Sequence, residues 1–167
     1  MNRTPIYTHN GAYAREHGEL TQYRESLLTN IACKNAIETS IDNHFDGMHL
    51  DKAVLPEVMK EFSAKRVAFV LAATIQHKNY DGRFSRGNKA WAAEIDTAFS
   101  VSPSYDPRPS FCVESHPTVL DGFVELFRKE MCRERKPSVL QKPQAKSVEP
   151  TPIKPKAPIR RSADLER

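Results

Sequence analysis

The 167 residues suit one domain with an appendage, since a chain of this size can bury a working core but two full domains would crowd it. The net charge of +4 is unevenly held: residues 1–133 carry 16 Lys/Arg against 17 Asp/Glu, and residues 134–167 carry 9 against 4. A nearly neutral domain excludes gripping nucleic acid mainly by overall phosphate attraction, and no run approaches the roughly 20 apolar residues of a membrane-spanning helix.

Residues 1–10 lack the basic start and apolar run of a secretory leader, so a cytoplasmic location is expected. Cys33, Cys112 and Cys132 form no CxxC pair and are odd in number, which predicts reduced, buried thiols rather than a disulfide framework. The 6 histidines belong to no HExxH or Cys/His pattern, so neither a metal nor a cofactor is expected.

In chain order, residues 12–17 read as one or two helical turns stopped by Gly18. Residues 20–45 give the clearest periodicity: Leu20, Tyr23, Leu27, Ile31, Ile37, Ile41 and Phe45 fall mostly three or four apart, predicting a long amphipathic helix with these side chains inward. Asp46-Gly47 should end it, because glycine tolerates the positive φ of a helix C-terminal cap. Asp51 suits the cap of a short turn and Pro56 the first turn of a helix reaching about Phe62.

Ser63 breaks or caps the chain before residues 64–78, where Val67, Val70, Leu71, Thr74 and Ile75 make an apolar face. This is the candidate central helix, with a strand as the rival reading of the run from Arg66 to Ala72. Asp81-Gly82 marks a turn, and Ser85 is an N-cap for a helix over 86–95 that turns Trp91, Ala92 and Ile95 inward. Residues 100–117, with Pro103, Pro107, Pro109 and Pro117, read as a loop. A last helix over 119–133 follows from Leu120, Phe123, Val124, Phe127 and Met131. Beyond it, six of the 12 prolines crowd a basic segment poor in large apolar residues, so 134–167 is expected to be a disordered tail. Its PxxP spacings and Arg160-Arg161 fit a polyproline ligand or phosphate-binding arm, and equally a solubilising linker.

The fold class expected is therefore all-α: a compact bundle of about five to six helices over 1–133, carrying the tail.

Three stretches invite a chemical reading. Asp42-Asn43-His44-Phe45-Asp46-Gly47 has the opening cadence of a calcium loop, but His44 stands at its third position and Ala53 at the twelfth, where a bidentate Glu belongs, so a helix end with a turn is expected. Cys33 with a histidine would make a nucleophile pair, yet a cysteine within an apolar face reads as core. No phosphate-cradling glycine loop or nucleophile elbow exists, so no catalytic residue is expected.

The third stretch is the most informative. Between Lys78 and Trp91, Lys78, Arg83, Arg86 and Lys89 mix with Tyr80, Phe84 and Trp91, with Asn88 among them. Such a mixture suits gripping phosphates and stacking bases, or anchoring in a partner protein. It suits a structural role too, with Tyr80, Phe84 and Trp91 filling the core, Arg83 paired with a carboxylate and Arg86 and Lys89 in water.

Several segments together resemble a bacterial domain family of unknown function. They are Tyr13-Ala14-Arg15-Glu16-His17-Gly18-Glu19-Leu20 with Tyr23-Arg24-Glu25-Ser26, Asn30-Ile31-Ala32-Cys33-Lys34 with Ala36-Ile37-Glu38, and His44-Phe45-Asp46-Gly47. Arg66-Val67 with Val70-Leu71-Ala72, and Asp81-Gly82-Arg83-Phe84-Ser85 with Asn88-Lys89-Ala90-Trp91-Ala92, complete the set, which covers about 13–99. That family is associated with gut bacteria and with conjugative or phage-like mobile elements, in places within multidomain proteins that counter restriction or CRISPR defence. The resemblance implies an anti-defence protein in the bacterial host cytoplasm, a non-catalytic inhibitor that binds a host CRISPR-Cas (Cas9-type) or restriction nuclease effector, with or without its guide RNA or DNA. Lys78, Tyr80, Arg83, Phe84, Arg86, Asn88 and Lys89 are the expected contacts. Glu16, Glu19, Glu25, Glu38 and Asp42 form a candidate acidic face for a basic channel. The alternative is an accessory DNA- or RNA-binding module of the element. No membrane and no small molecule is an expected partner.

Overall fold

The structure, a computed structural model, describes residues 4–97 and 110–135, all within the first of two units, Met1–Lys136 and Pro137–Arg167. The expected tail lies outside the described residues. Among those described there are six helices and no strand, so the all-α expectation holds: α1 Gly11–Glu16, α2 Leu20–His44, α3 Val54–Glu61, α4 Ala64–His77, α5 Arg86–Ala93 and α6 Pro117–Arg135.

Local chemistry sets the boundaries. Asn10 caps α1 by accepting from the Tyr13 amide at 2.9 Å, and Gly18 at φ +72 turns the chain into α2. At the far end of α2, Gly47 takes φ +98 while the Asp46 carboxylate accepts from the amides of Met48 (2.8 Å) and His49 (2.6 Å). The Asp-Gly stop is thus an Asx turn, closed by an isolated antiparallel bridge between Phe45 and Leu50. Asp51 accepts from the Ala53 amide at 3.1 Å and leads into α3, where Pro56 sits in the first turn. Ser63 and Ser85 cap α4 and α5 by accepting from Arg66 and Asn88 amides.

α4 is the centre. It packs against α2 and α5, α2 also against α1 and α3, and α6 against α3 and α5. Arg66, Val67 and every residue from Phe69 to Ile75 are buried, so this helix has little polar face to give. The strand reading of its first half falls, because a helix buried nearly all round carries the same continuous apolar run. Val54, Val58, Phe62, Leu120, Phe123, Val124 and Phe127 complete the core from α3 and α6.

Two expectations need correction, a small one at the start of α6 and a larger one in α2. α6 begins at Pro117 rather than 119, since a proline at the first helical position loses a donor that would have no partner there. Of the loop expected over 100–117, residues 100–109 lie outside the described residues, and 110–116 hold neither helix nor strand, although Phe111, Cys112 and Val113 are buried. Their backbone finds partners in side chains, with the Val113 amide donating to Thr74 Oγ1 (3.0 Å) and its carbonyl accepting from Lys78 Nζ (2.8 Å).

The larger correction concerns α2. In its first half the inward positions are Ser26, Thr29, Asn30 and Cys33, while Leu20, Tyr23, Leu27 and Ile31 are only half-buried and Leu28 is 67 % exposed. The cause is Arg66, whose side chain is 2 % exposed and points into this face. Its Nη1 donates to the carbonyl and hydroxyl of Ser26 (3.2 Å each) and to Asn30 Oδ1, and its Nη2 to the carbonyls of Thr4 (2.5 Å) and Pro5 (3.2 Å). All five acceptors are uncharged. Burial pulls the guanidinium below its usual pKa, but arginine keeps its proton in proteins, so a whole charge is held by neutral oxygens.

Replacing Asn30 with Leu makes α2 more apolar and should nevertheless destabilise the protein by about 1–3 kcal/mol, because one Arg66 donor loses its acceptor. Urea unfolding with an unchanged m-value checks this; a gain in stability would contradict it.

Candidate functional site

The basic and aromatic stretch becomes the turn between α4 and α5. Asp81 accepts from the Arg83 amide (3.0 Å) and, side by side, from Arg83 Nε (2.9 Å) and Nη2 (2.7 Å). That fork holds the Asp81 carboxyl down at about 2 and raises the Arg83 guanidinium in return. Lys89 Nζ donates to the Asn79 carbonyl at 2.9 Å, closing the turn onto α5. Phe84 anchors it from below, 3 % exposed within the core, and Trp91 meets Phe127 edge-on at 6.2 Å. Tyr80, by contrast, stands 85 % exposed, and Arg86 is exposed on the first turn of α5.

Two of the seven expected contact residues therefore cannot be contacts. Phe84 is a core anchor, and Asn88, 1 % exposed, is a joint between helices. Its Nδ2 donates to Asp121 Oδ1 (2.7 Å) and carbonyl (3.0 Å), and its Oδ1 accepts from Arg128 Nη1 (2.6 Å). Asp121 also accepts from the Ser85 amide at 3.0 Å, so one carboxylate ties the start of α5 to α6. Lys78 is half-buried with its ammonium on the Val113 carbonyl. Tyr80, Arg83, Arg86 and Lys89 remain at or near the surface. Arg128 reads in the sequence only as a cation of the last helix, and its joint with Asn88 and Asp121 is not legible there, because Asn88 lies 33 and 40 positions from Asp121 and Arg128 and nothing local marks the pairing.

The five acidic residues do not act as one face. Glu19 accepts from the Tyr7 hydroxyl at 2.7 Å, and that phenol is pushed up to about 12 by burial and then by Glu19. Glu38 pairs with Lys34 at 3.3 Å and accepts from the Glu114 amide at 2.6 Å. Glu16, Glu25 and Asp42 are exposed, but Glu25 and Asp42 stand about 25 Å apart along the α2 axis.

At the other end of α2, Ser40, buried, donates to Glu57 Oε2 (2.7 Å) and the Val54 carbonyl (3.0 Å), and His44 Nδ1 lies 3.4 Å from the same Glu57 oxygen. This resembles a hydrolytic trio only in composition. The hydroxyl faces the carboxylate rather than the imidazole, and Ser40 is 1 % exposed, so no substrate reaches it. Cys33 is fully buried and its thiol is pushed up to about 12 by desolvation, with Arg66 pulling weakly the other way, so it is no thiolate. The calcium-like loop turns the Asp46 carboxylate onto its own backbone. Among the described residues no three His, Cys, Asp or Glu side chains converge to hold a metal.

With this geometry in place, comparison with known proteins gives one family, described as Protein of unknown function (DUF3849), matched over residues 6–132. The chain belongs to it. The DUF3849 span takes in both the Arg66 socket on α2 and the whole turn from α4 to α5. No curated protein and no solved structure matches the chain.

Two outcomes follow. Because the Asp81 pKa is depressed, its pairing with Arg83 contributes above the ordinary carboxylate range near pH ~4 and is lost as pH falls toward about 2. A carboxyl-carbon NMR titration should place its midpoint near 2, and Arg83→Gln should move it upward; a wild-type midpoint near 4 would contradict the fork. Cys132 is exposed, against the buried thiol expected of it, so in the native protein it should react quickly with a thiol reagent at mildly alkaline pH while Cys33 and Cys112 stay silent until unfolding. Rapid labelling of Cys33 would reopen the nucleophile reading.

Proposed function

We propose that this DUF3849 chain is a binding protein without a reaction of its own, which attaches to a host nuclease effector and blocks it. The carrying observation is the turn at 79–86: Tyr80 is 85 % exposed on a backbone fixed from inside by Phe84, by the Asp81–Arg83 fork and by the Lys89–Asn79 bond. A tyrosine left in water on a rigid turn loses little freedom on binding, and Tyr and Arg are the side chains that most often dominate protein interfaces. Arg83 and Arg86 flank it as polar rim.

The effector class rests on the resemblance of the motifs to proteins of mobile elements that counter restriction or CRISPR defence, and a Cas9-type enzyme in a bacterial cytoplasm is the first case to test. The rival, a DNA- or RNA-binding module, draws on Arg86 and Lys89 beside an aromatic ring. It is disfavoured by the neutralised Arg83 and by the 16 Lys/Arg against 17 Asp/Glu of residues 1–133.

The chain should co-purify with the effector and stop target cleavage at near-equimolar amounts. Tyr80→Ala should raise the concentration needed by about tenfold or more without altering unfolding. Unimpaired cleavage at large excess would overturn the effector reading. Binding to bare nucleic acid with a steep salt slope, lost on Arg86→Ala with Lys89→Ala, would favour the rival.

A further inference from the structure

α5 carries cations on both flanks and on its crest. Asn88 faces the core, and at about 100° per residue its neighbours fall to either side. Gly87 lies toward Arg128, whose Nη1 is 3.5 Å from where a Cβ on that glycine would stand, and Lys89 lies toward the Asn79 carbonyl at 2.9 Å. Arg86 is exposed between them.

Arg128 is aimed from behind. The Asn88 Nδ2 donates to both the carbonyl and Oδ1 of Asp121, which fixes the amide and leaves the Asn88 Oδ1 facing Arg128 Nη1 at 2.6 Å. Among the described residues no carboxylate lies within ion-pair distance of Arg86, Lys89 or Arg128, whereas Arg83, Lys129 and Arg133 each have one. Arg128 is half-buried, and its guanidinium carries five donors in a rigid fork, of which the bond to Asn88 uses one, so donors remain for a planar, bidentate acceptor.

We infer that the exposed side of α5, rimmed by Arg86, Lys89 and Arg128, docks an acidic segment of a partner protein, with Arg128 taking one carboxylate through two parallel hydrogen bonds. The inference rests on the protein-binding part of the reading above and not on the identity of the effector. The fork fits a carboxylate and a phosphate alike, but a polyphosphate is held by summed charge, which is close to zero over residues 1–133, and this favours the carboxylate. The crest between the cations is short-chained as well, with Gly87, Ala90 and Ala93 exposed, so a partner backbone can lie close enough for that contact.

The test is an NMR titration of the full chain with a short helical peptide of alanine and glutamate, and separately with single-stranded DNA. The peptide should shift the amides of Gly87, Ala90 and Arg128 saturably. Arg128→Lys, which keeps the charge but not the fork, should weaken it by about tenfold. Ala90→Arg should weaken it too, although it adds a cation, because bulk on the crest blocks approach. Tighter peptide binding by Ala90→Arg, equal competition by DNA, or no shift along α5 would each overturn the inference. Peptide docking without inhibition of any nuclease would retain it while removing the effector reading.

Discussion

One unneutralised guanidinium governs how this chain folds. Moving a charge into the interior costs several kcal/mol, and among the described residues no carboxylate pairs with Arg66 to offset it. What offsets it is a ring of neutral oxygens, each hydrogen bond to a charged group contributing about 1.5–3 kcal/mol. Those oxygens come from two places in the sequence: Ser26 and Asn30 on α2, and the carbonyls of Thr4 and Pro5 ahead of α1. The N-terminal segment is therefore bound to the centre of the domain, and the Tyr7 amide, donating to Ser26 Oγ at 2.9 Å, belongs to the same joint. The burial of Ser26 and Asn30 in the first half of α2 is a requirement of Arg66, while Thr29 satisfies its hydroxyl on the Glu25 carbonyl of its own helix at 2.8 Å.

The same device recurs on a smaller scale around α4 and α5. Gln76 donates to the carbonyls of Ala92 (2.6 Å) and Ile95 (2.9 Å) and accepts from Thr97 (2.5 Å), Thr74 holds Val113, and Asn88 joins Asp121 to Arg128. A central helix with no polar face needs such joints to fix what packs on it, since apolar contact alone is non-directional. One consequence reaches the surface. Phe84 and Asn88 are drawn inward, Arg83 and Lys89 are tied to their own turn, and Tyr80 is left outside on a backbone that cannot relax to cover it.

Much of the fold was legible because its signals are local. Asn10, Asp46-Gly47, Asp51, Ser63 and Ser85 act within three residues of themselves, so caps and turns announce helix ends directly. The α4 run could be placed at the centre because its apolar residues leave no polar side. The α2 face was misread because periodicity counts greasy side chains and has no term for a distant arginine that needs oxygen. The joints of Val113, Asp121 and Arg128 escaped for a related reason, as each residue finds its partner more than 30 positions away. In the site, the turn itself was visible in Asp81-Gly82, but which of its aromatics faces water depended on how α6 packs, and no local pattern encodes that.

The most direct measurement is amide hydrogen exchange in wild type and Arg66→Met. Methionine fills similar space without a donor, so the apolar centre of α4 should stay protected. The Tyr7 amide and the turn of α2 around Ser26 to Asn30 should instead lose protection by an order of magnitude or more, as residues 4–7 detach. Unchanged protection at Tyr7 would show that the N-terminal segment is held by something other than the buried charge, and the account would fail.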